Sequence, residues 1–123
     1  MRVRDLPDAW NARFKELFGL TVPNDSLGVL QDIHWSHGLI GYFPTYTLGN
    51  LNAAQLMFAA EQQIPGLQDQ LAEGHYQSLL LWLREHIHQH GRRYLPAELM
   101  SRATGETTHA KYRIEYLRKK YSL

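Results

Sequence analysis

Asp32, His34, His37, Tyr42 and Tyr46 sit close together in the stretch GVLQDIHWSHGLIGYFPTYTLGN, residues 28–50. Imidazole N–H and phenol O–H groups can donate hydrogen bonds to charge that develops on an oxygen during acyl transfer. An Asp two positions before a His can orient that ring through its second nitrogen. Gly38 and Gly41 permit turns or close approach, and Pro44 fixes one torsion and removes a donor. Polar groups on irregular backbone commonly face a ligand. The same residues also suit a buried turn whose polar groups satisfy one another. Tyr46 lies four positions after Tyr42, so a helix opening at Pro44 puts both phenols on one side. Either can contact a ligand, and Tyr46 can equally be a packing residue. His37 is read as incidental.

The surrounding elements read as helices. Asp5 or Asp8 caps a helix carrying Trp10, Phe14, Leu17 and Phe18 on one face, stopped at Gly19. Residues 22–26 form a turn and a new cap, after which Leu27, Leu30, Ile33 and His34 share one side of a short helix. Asp32 and Trp35 fall on its other faces. After Pro44, the spacing of Leu48, Leu51, Ala54, Gln55 and Phe58 predicts a helix apolar nearly all round, and therefore buried. It is broken at residues 64–66. A short helix over 67–73, a long amphipathic one from Tyr76 through Ile87 to Gly91, one from Pro96 to Gly105, and one carrying Tyr112, Tyr116, Leu117 and Tyr121 complete the chain. No segment alternates as a strand would. The fold class expected is all-α, a single helical region over 1–123.

Composition narrows the function classes. The 123 residues are 44% hydrophobic and 20% charged, with a net charge of +1, so no global field favours nucleic acid or a membrane surface. Cysteine is absent, which removes disulfides, thiolate nucleophiles and Cys-zinc sites. With neither a long apolar run nor a signal-like start, a cytoplasmic location is expected. His86 and His90 have i, i+4 spacing, but no third ligand is evident and Gly91 follows at once, so no metal site is assigned. The basic run over 110–121 reads as a solvated helix face, not a nucleic-acid surface.

Two motifs resemble a known family. Gly28-Val29-Leu30-Gln31-Asp32-Ile33-His34-Trp35 matches a G-x-x-Q-D-x-H-W pattern, and Gly41-Tyr42-Phe43-Pro44-Thr45-Tyr46-Thr47-Leu48-Gly49-Asn50 matches G-Y-F-P-T-Y-x-L-G-N. Both occur in order in the C-terminal half of the carboxypeptidase Taq family of zinc metallocarboxypeptidases. Residues 6–11 and 102–106 resemble the family's flanks. The resemblance implies the C-terminal helical part of a larger, mostly helical, zincin-like peptidase that releases the last amino acid of a peptide. It implies zinc in the full-length enzyme, held by an H-E-x-x-H helix and a downstream Glu, none of it in this sequence, so no cofactor is expected in this chain. By analogy with related helical zinc peptidases, His34 with Tyr42 or Tyr46 would stabilise the oxyanion. Gln31, Asp32 and Trp35 would support these residues or line the cleft, with Asp32 orienting His34. Peptide substrate and a homo-oligomer are the partners implied, and the chain alone is expected to be inactive. The alternative is a non-catalytic helical interaction module derived from the same fold.

Overall fold

Asp5, Pro7 and Gly19 set the limits of the first helix. A computed structural model describes residues 1–122, and helix α1 runs Leu6–Phe18. Pro7 sits in the first turn, where a missing N–H costs nothing, and Gly19 closes the helix at φ 70°, its N–H donating to the Lys15 carbonyl. Asp5 occupies the cap position, but its carboxylate turns back to Arg2, which holds it below the ordinary carboxyl range. Residues 1–44 form one of two contact units, and the second begins at Thr45.

In the first unit the expected short helix is replaced by three 3-10 turns, Asp25–Leu27, Val29–Gln31 and Ile33–His37. Gly28 (ψ −118°) and Asp32 (ψ 91°) leave helical torsions and break the run. The apolar face falls differently as well. Leu27, Leu30 and Ile33 are exposed, and Val29 is the buried residue. Asn24 opens the first turn by accepting the Leu27 N–H at 3.0 Å. Gly28 is packed so closely that a β-carbon there would lie 2.6 Å from Val22 Cγ1 and 3.2 Å from the Asn24 carbonyl oxygen. Gly28→Ala is therefore expected to cost about 1–3 kcal/mol, the usual range for overpacking. A urea melt checks this, and an unchanged midpoint would show that the loop simply moves aside.

The second unit holds α2 (Thr45–Gln63), α3 (Leu67–Ala72), α4 (Gln77–His86), α5 (Pro96–Thr104) and α6 (Lys111–Tyr121). Among the described residues there is no strand, so the class is all-α. Its core gathers Ala59 and Ala60 from α2, Leu67 from α3 and Trp82 from α4, with Leu56, Met57 and Leu79 against them. Trp82 satisfies its indole N–H on Gln63 at 2.9 Å. Helix α2 is less buried than its letters suggest, since Leu48 and Phe58 are exposed while Gln55 is wholly buried. Gln55 makes the interaction that an apolar residue could not. Its Nε2 donates to Thr104 Oγ1 and to the Glu106 and Thr107 carbonyls, and its Oε1 accepts the His109 N–H at 2.9 Å. One side chain thus ties the connection between α5 and α6 to α2. Thr108 adds a bond to Asn52 at 2.6 Å.

Helix α4 ends at His86, short of the expected Gly91, because Ile87 leaves helical torsions (φ −126°) before a 3-10 turn His88–His90. Near the start of α6, Lys111 pairs with Glu106 at 2.5 Å and Tyr112 donates to the same carboxylate. Lys111, then Tyr112, holds the Glu106 carboxyl below its usual range, and Glu106 in turn raises both partners. No helix among the described residues is long and apolar enough to cross a membrane.

Candidate functional site

Asp32 begins the site. Its extended backbone leaves the carboxylate free to fold over the next turn, and Oδ1 accepts the His34 backbone N–H at 3.0 Å. The same oxygen lies 2.7 Å from His34 Nδ1, and the two side chains are only 9% and 15% exposed. At the far end of this turn Gly38 takes a left-handed torsion (φ 72°). That geometry sends its N–H to the Trp35 carbonyl and the Leu39 N–H to the His34 carbonyl, both at 3.0 Å. A second turn follows, with Gly41 at φ 79° and the Tyr42 N–H donating to the Leu39 carbonyl at 3.2 Å. These two reversals return the chain over His34. Ring centroids of Tyr42 and Phe43 stand 5.1 and 5.3 Å from the imidazole.

Beside this cluster lies a cavity of about 470 Å³ lined by Trp10, Gln31, Asp32, Trp35, Ile40, Gly41, Phe43 and Pro44. Its walls are largely apolar, and Trp10 meets Trp35 edge to face with centroids 6.3 Å apart. Gln31 lines the cavity while its amide is anchored to the Ser26 carbonyl at 2.6 Å. Gln31, Asp32 and Trp35, the three residues expected to support or line a cleft, are all among the residues lining this cavity. His34 and Tyr42 are neighbours. His37 is exposed and outside the lining.

Tyr46 does not share a helix face with Tyr42. Helix α2 starts at Thr45, so Tyr46 lies in its first turn and Tyr42 in the preceding loop. Pro44 disfavours helical torsions at Phe43, which keeps the helix from reaching back. Tyr42 is 44% exposed and Tyr46 57%. Sequence reasoning missed Trp10 as a cavity wall, having placed it only on the apolar face of α1. Its occurrence in the flanking motif of residues 6–11 was the available signal. Trp10 Nε1 and its neighbour Asn11 Oδ1 are buried without hydrogen-bond partners among the described residues.

The other constellations resolve into structural contacts. His86 donates from Nδ1 to the Trp82 carbonyl at 2.9 Å and stacks on the Trp82 ring at 4.4 Å. The break at Ile87 removes the regular i, i+4 relation to His90. In α6, the Arg113 guanidinium lies over Tyr116 and Lys111 is paired with Glu106. No group of three or more His, Asp or Glu side chains among the described residues can hold a metal ion.

The comparisons agree with this architecture. The family model described as carboxypeptidase Taq (M32) metallopeptidase matches residues 1–121. Thermostable carboxypeptidase 1 of Pyrococcus furiosus is 42% identical over 121 residues, covering 98% of this chain and 24% of the relative. The like-named protein of Thermus thermophilus is 45% identical, covering 96% and 23%. The crystal structure of an M32 carboxypeptidase from Deinococcus radiodurans superposes with a TM-score of 0.93 at 46% identity, over 99% of this chain and 25% of that one. The chain thus spans about a quarter of the length of the relatives it matches. With the motif residues Gln31, Asp32 and Trp35 lining the cavity, His34 and Tyr42 in ring contact, and the match running from end to end, this chain belongs to the carboxypeptidase Taq (M32) metallopeptidase family.

Proposed function

We propose that these 123 residues are the C-terminal region of a zinc-dependent metallocarboxypeptidase that hydrolyses the last peptide bond of its substrate. The observation that carries the reading is the Asp32–His34–Tyr42 cluster beside an apolar cavity, in a chain of this family. Hydrolysis of a peptide passes through a tetrahedral adduct whose oxygen carries negative charge. Donors fixed before the charge appears lower that barrier. A phenol, Tyr42 or Tyr46, supplies such a donor, and His34, held in place by Asp32, adds a ring N–H to the same oxygen when it is protonated. Gln31 and Trp35 form part of the cleft wall. In this reading the zinc and its H-E-x-x-H ligands belong to other parts of the polypeptide. The substrate is a peptide, the location cytoplasmic and the working form a homo-oligomer. Exposed apolar side chains such as Leu27, Leu30, Ile33 and Ile40 supply material for such contacts.

The test uses the whole polypeptide loaded with zinc and an N-blocked peptide. Release of the C-terminal amino acid is expected, with His34→Ala lowering kcat by about 10²-fold or more, as for loss of an oxyanion donor. The 123-residue chain alone should release none. A whole polypeptide that binds zinc yet leaves peptides intact would overturn the reading in favour of an interaction module.

A further inference from the structure

Asp32 Oδ1 receives two nitrogens of the same residue, the backbone N–H of His34 at 3.0 Å and the ring Nδ1 at 2.7 Å. The backbone nitrogen can only donate. A carboxylate oxygen has no hydrogen to give and already accepts the backbone N–H, so the proton between Oδ1 and Nδ1 resides on the ring. A neutral imidazole carries one N–H, and the other nitrogen is then a bare acceptor. We infer that Asp32 holds neutral His34 in its Nδ1–H form, so that Nε2 is a proton acceptor and becomes a donor only when the ring is an imidazolium.

The arrangement resists alternatives. The carboxylate cannot swing away without releasing the backbone N–H that opens the turn Ile33–His37. Limited exposure of both side chains reduces competition from water for Oδ1. The catalytic consequence rests on the function proposed above, while the tautomer itself does not. Neutral His34 cannot donate from Nε2 to an oxyanion. A proton taken up at Nε2 makes the ring cationic, with the Asp32 carboxylate balancing the charge and no bond to carbon formed. The resulting N–H can then stabilise an oxyanion, and giving the proton up restores the acceptor. Fixed neutral donation therefore falls to a phenol, and His34 is a proton carrier that Asp32 positions.

Nitrogen NMR of the protein labelled with 15N-histidine reads the tautomer directly, at alkaline pH where imidazoles are neutral. His34→Gln assigns the signals by their disappearance. The expected spectrum has Nδ1 of His34 at the protonated position and Nε2 at the bare one. The reverse pattern, or two averaged shifts, would overturn the inference. Asp32→Asn keeps an acceptor oxygen and should retain the tautomer. Asp32→Ala should shift the ring toward the Nε2–H form that free histidine prefers, and an Ala variant that kept the Nδ1–H form would count against Asp32. If that variant does not fold, the spectrum of the unaltered protein still decides. Harmless loss of His34 in the whole enzyme would sink the proposed catalytic role and leave the tautomer standing.

Discussion

Replacing Tyr42 by Phe in the whole polypeptide is expected to lower kcat by about 10²–10³-fold with KM little changed, the pattern of a donor used chiefly in the transition state. The ring would remain, and with it the contact to His34 at 5.1 Å between centroids, so the loop keeps its packing. Only the hydroxyl is lost. If that hydroxyl merely braces the turn, the loss is about 1 kcal/mol of stability, the net worth of an ordinary hydrogen bond, and turnover stays near that of the parent. Steady-state kinetics alongside a thermal melt separates the two. Tyr46→Phe is the companion measurement. Should Tyr46→Phe show the large kcat loss while Tyr42→Phe does not, the donor is the phenol on the first turn of α2 and the assignment to Tyr42 fails.

Gln55→Leu should destabilise the second unit strongly, by about 3 kcal/mol. The substitution keeps the volume and removes all four hydrogen bonds made by the amide. Not every partner is stranded. Thr104 Oγ1 still reaches the Met100 and Glu106 carbonyls at 2.9 and 3.0 Å. The Thr107 carbonyl and the His109 N–H face a leucine, and each unsatisfied group costs about 1–3 kcal/mol. Against a total stability of roughly 5–15 kcal/mol that is a large fraction. Urea unfolding of the chain measures it. A loss below about 1 kcal/mol would mean that water replaces the amide without penalty, and that the loop is held by the Thr108–Asn52 bond instead.

What the sequence disclosed depended on how local each signal was. Gly19 and Gly105 end helices α1 and α5 where their letters said they would, because a left-handed torsion is a property of one residue. Residues 27–34 misled because Leu27, Leu30 and Ile33 mimic a helical period while Gly28 and Asp32 withdraw their torsions from it. The Asp32 carboxylate competes there for a backbone N–H, a contest that periodicity does not register. Asp32 beside His34 was anticipated by their spacing, since two positions suffice for a side chain to reach back. Trp10 in the cavity wall was not, since α1 meets the motif only through tertiary packing. Gln55 was read as one more letter in an apolar stripe; its partners are chosen by the fold, far along the chain.

That distance gives the molecule a schedule. The partners of Gln55 lie 49 to 54 residues downstream. At synthesis rates of about 5–20 residues per second, α2 leaves the ribosome roughly 3–10 s before the segment that satisfies its amide. Local helices form in microseconds or less, so α2, α3 and α4 have ample time to assemble around Ala60, Leu67 and Trp82 while Gln55 stays hydrated. The amide can be drawn out of water only when residues 104–109 arrive. Completion of this unit thus waits for residues 104–109, with a single glutamine as the latch.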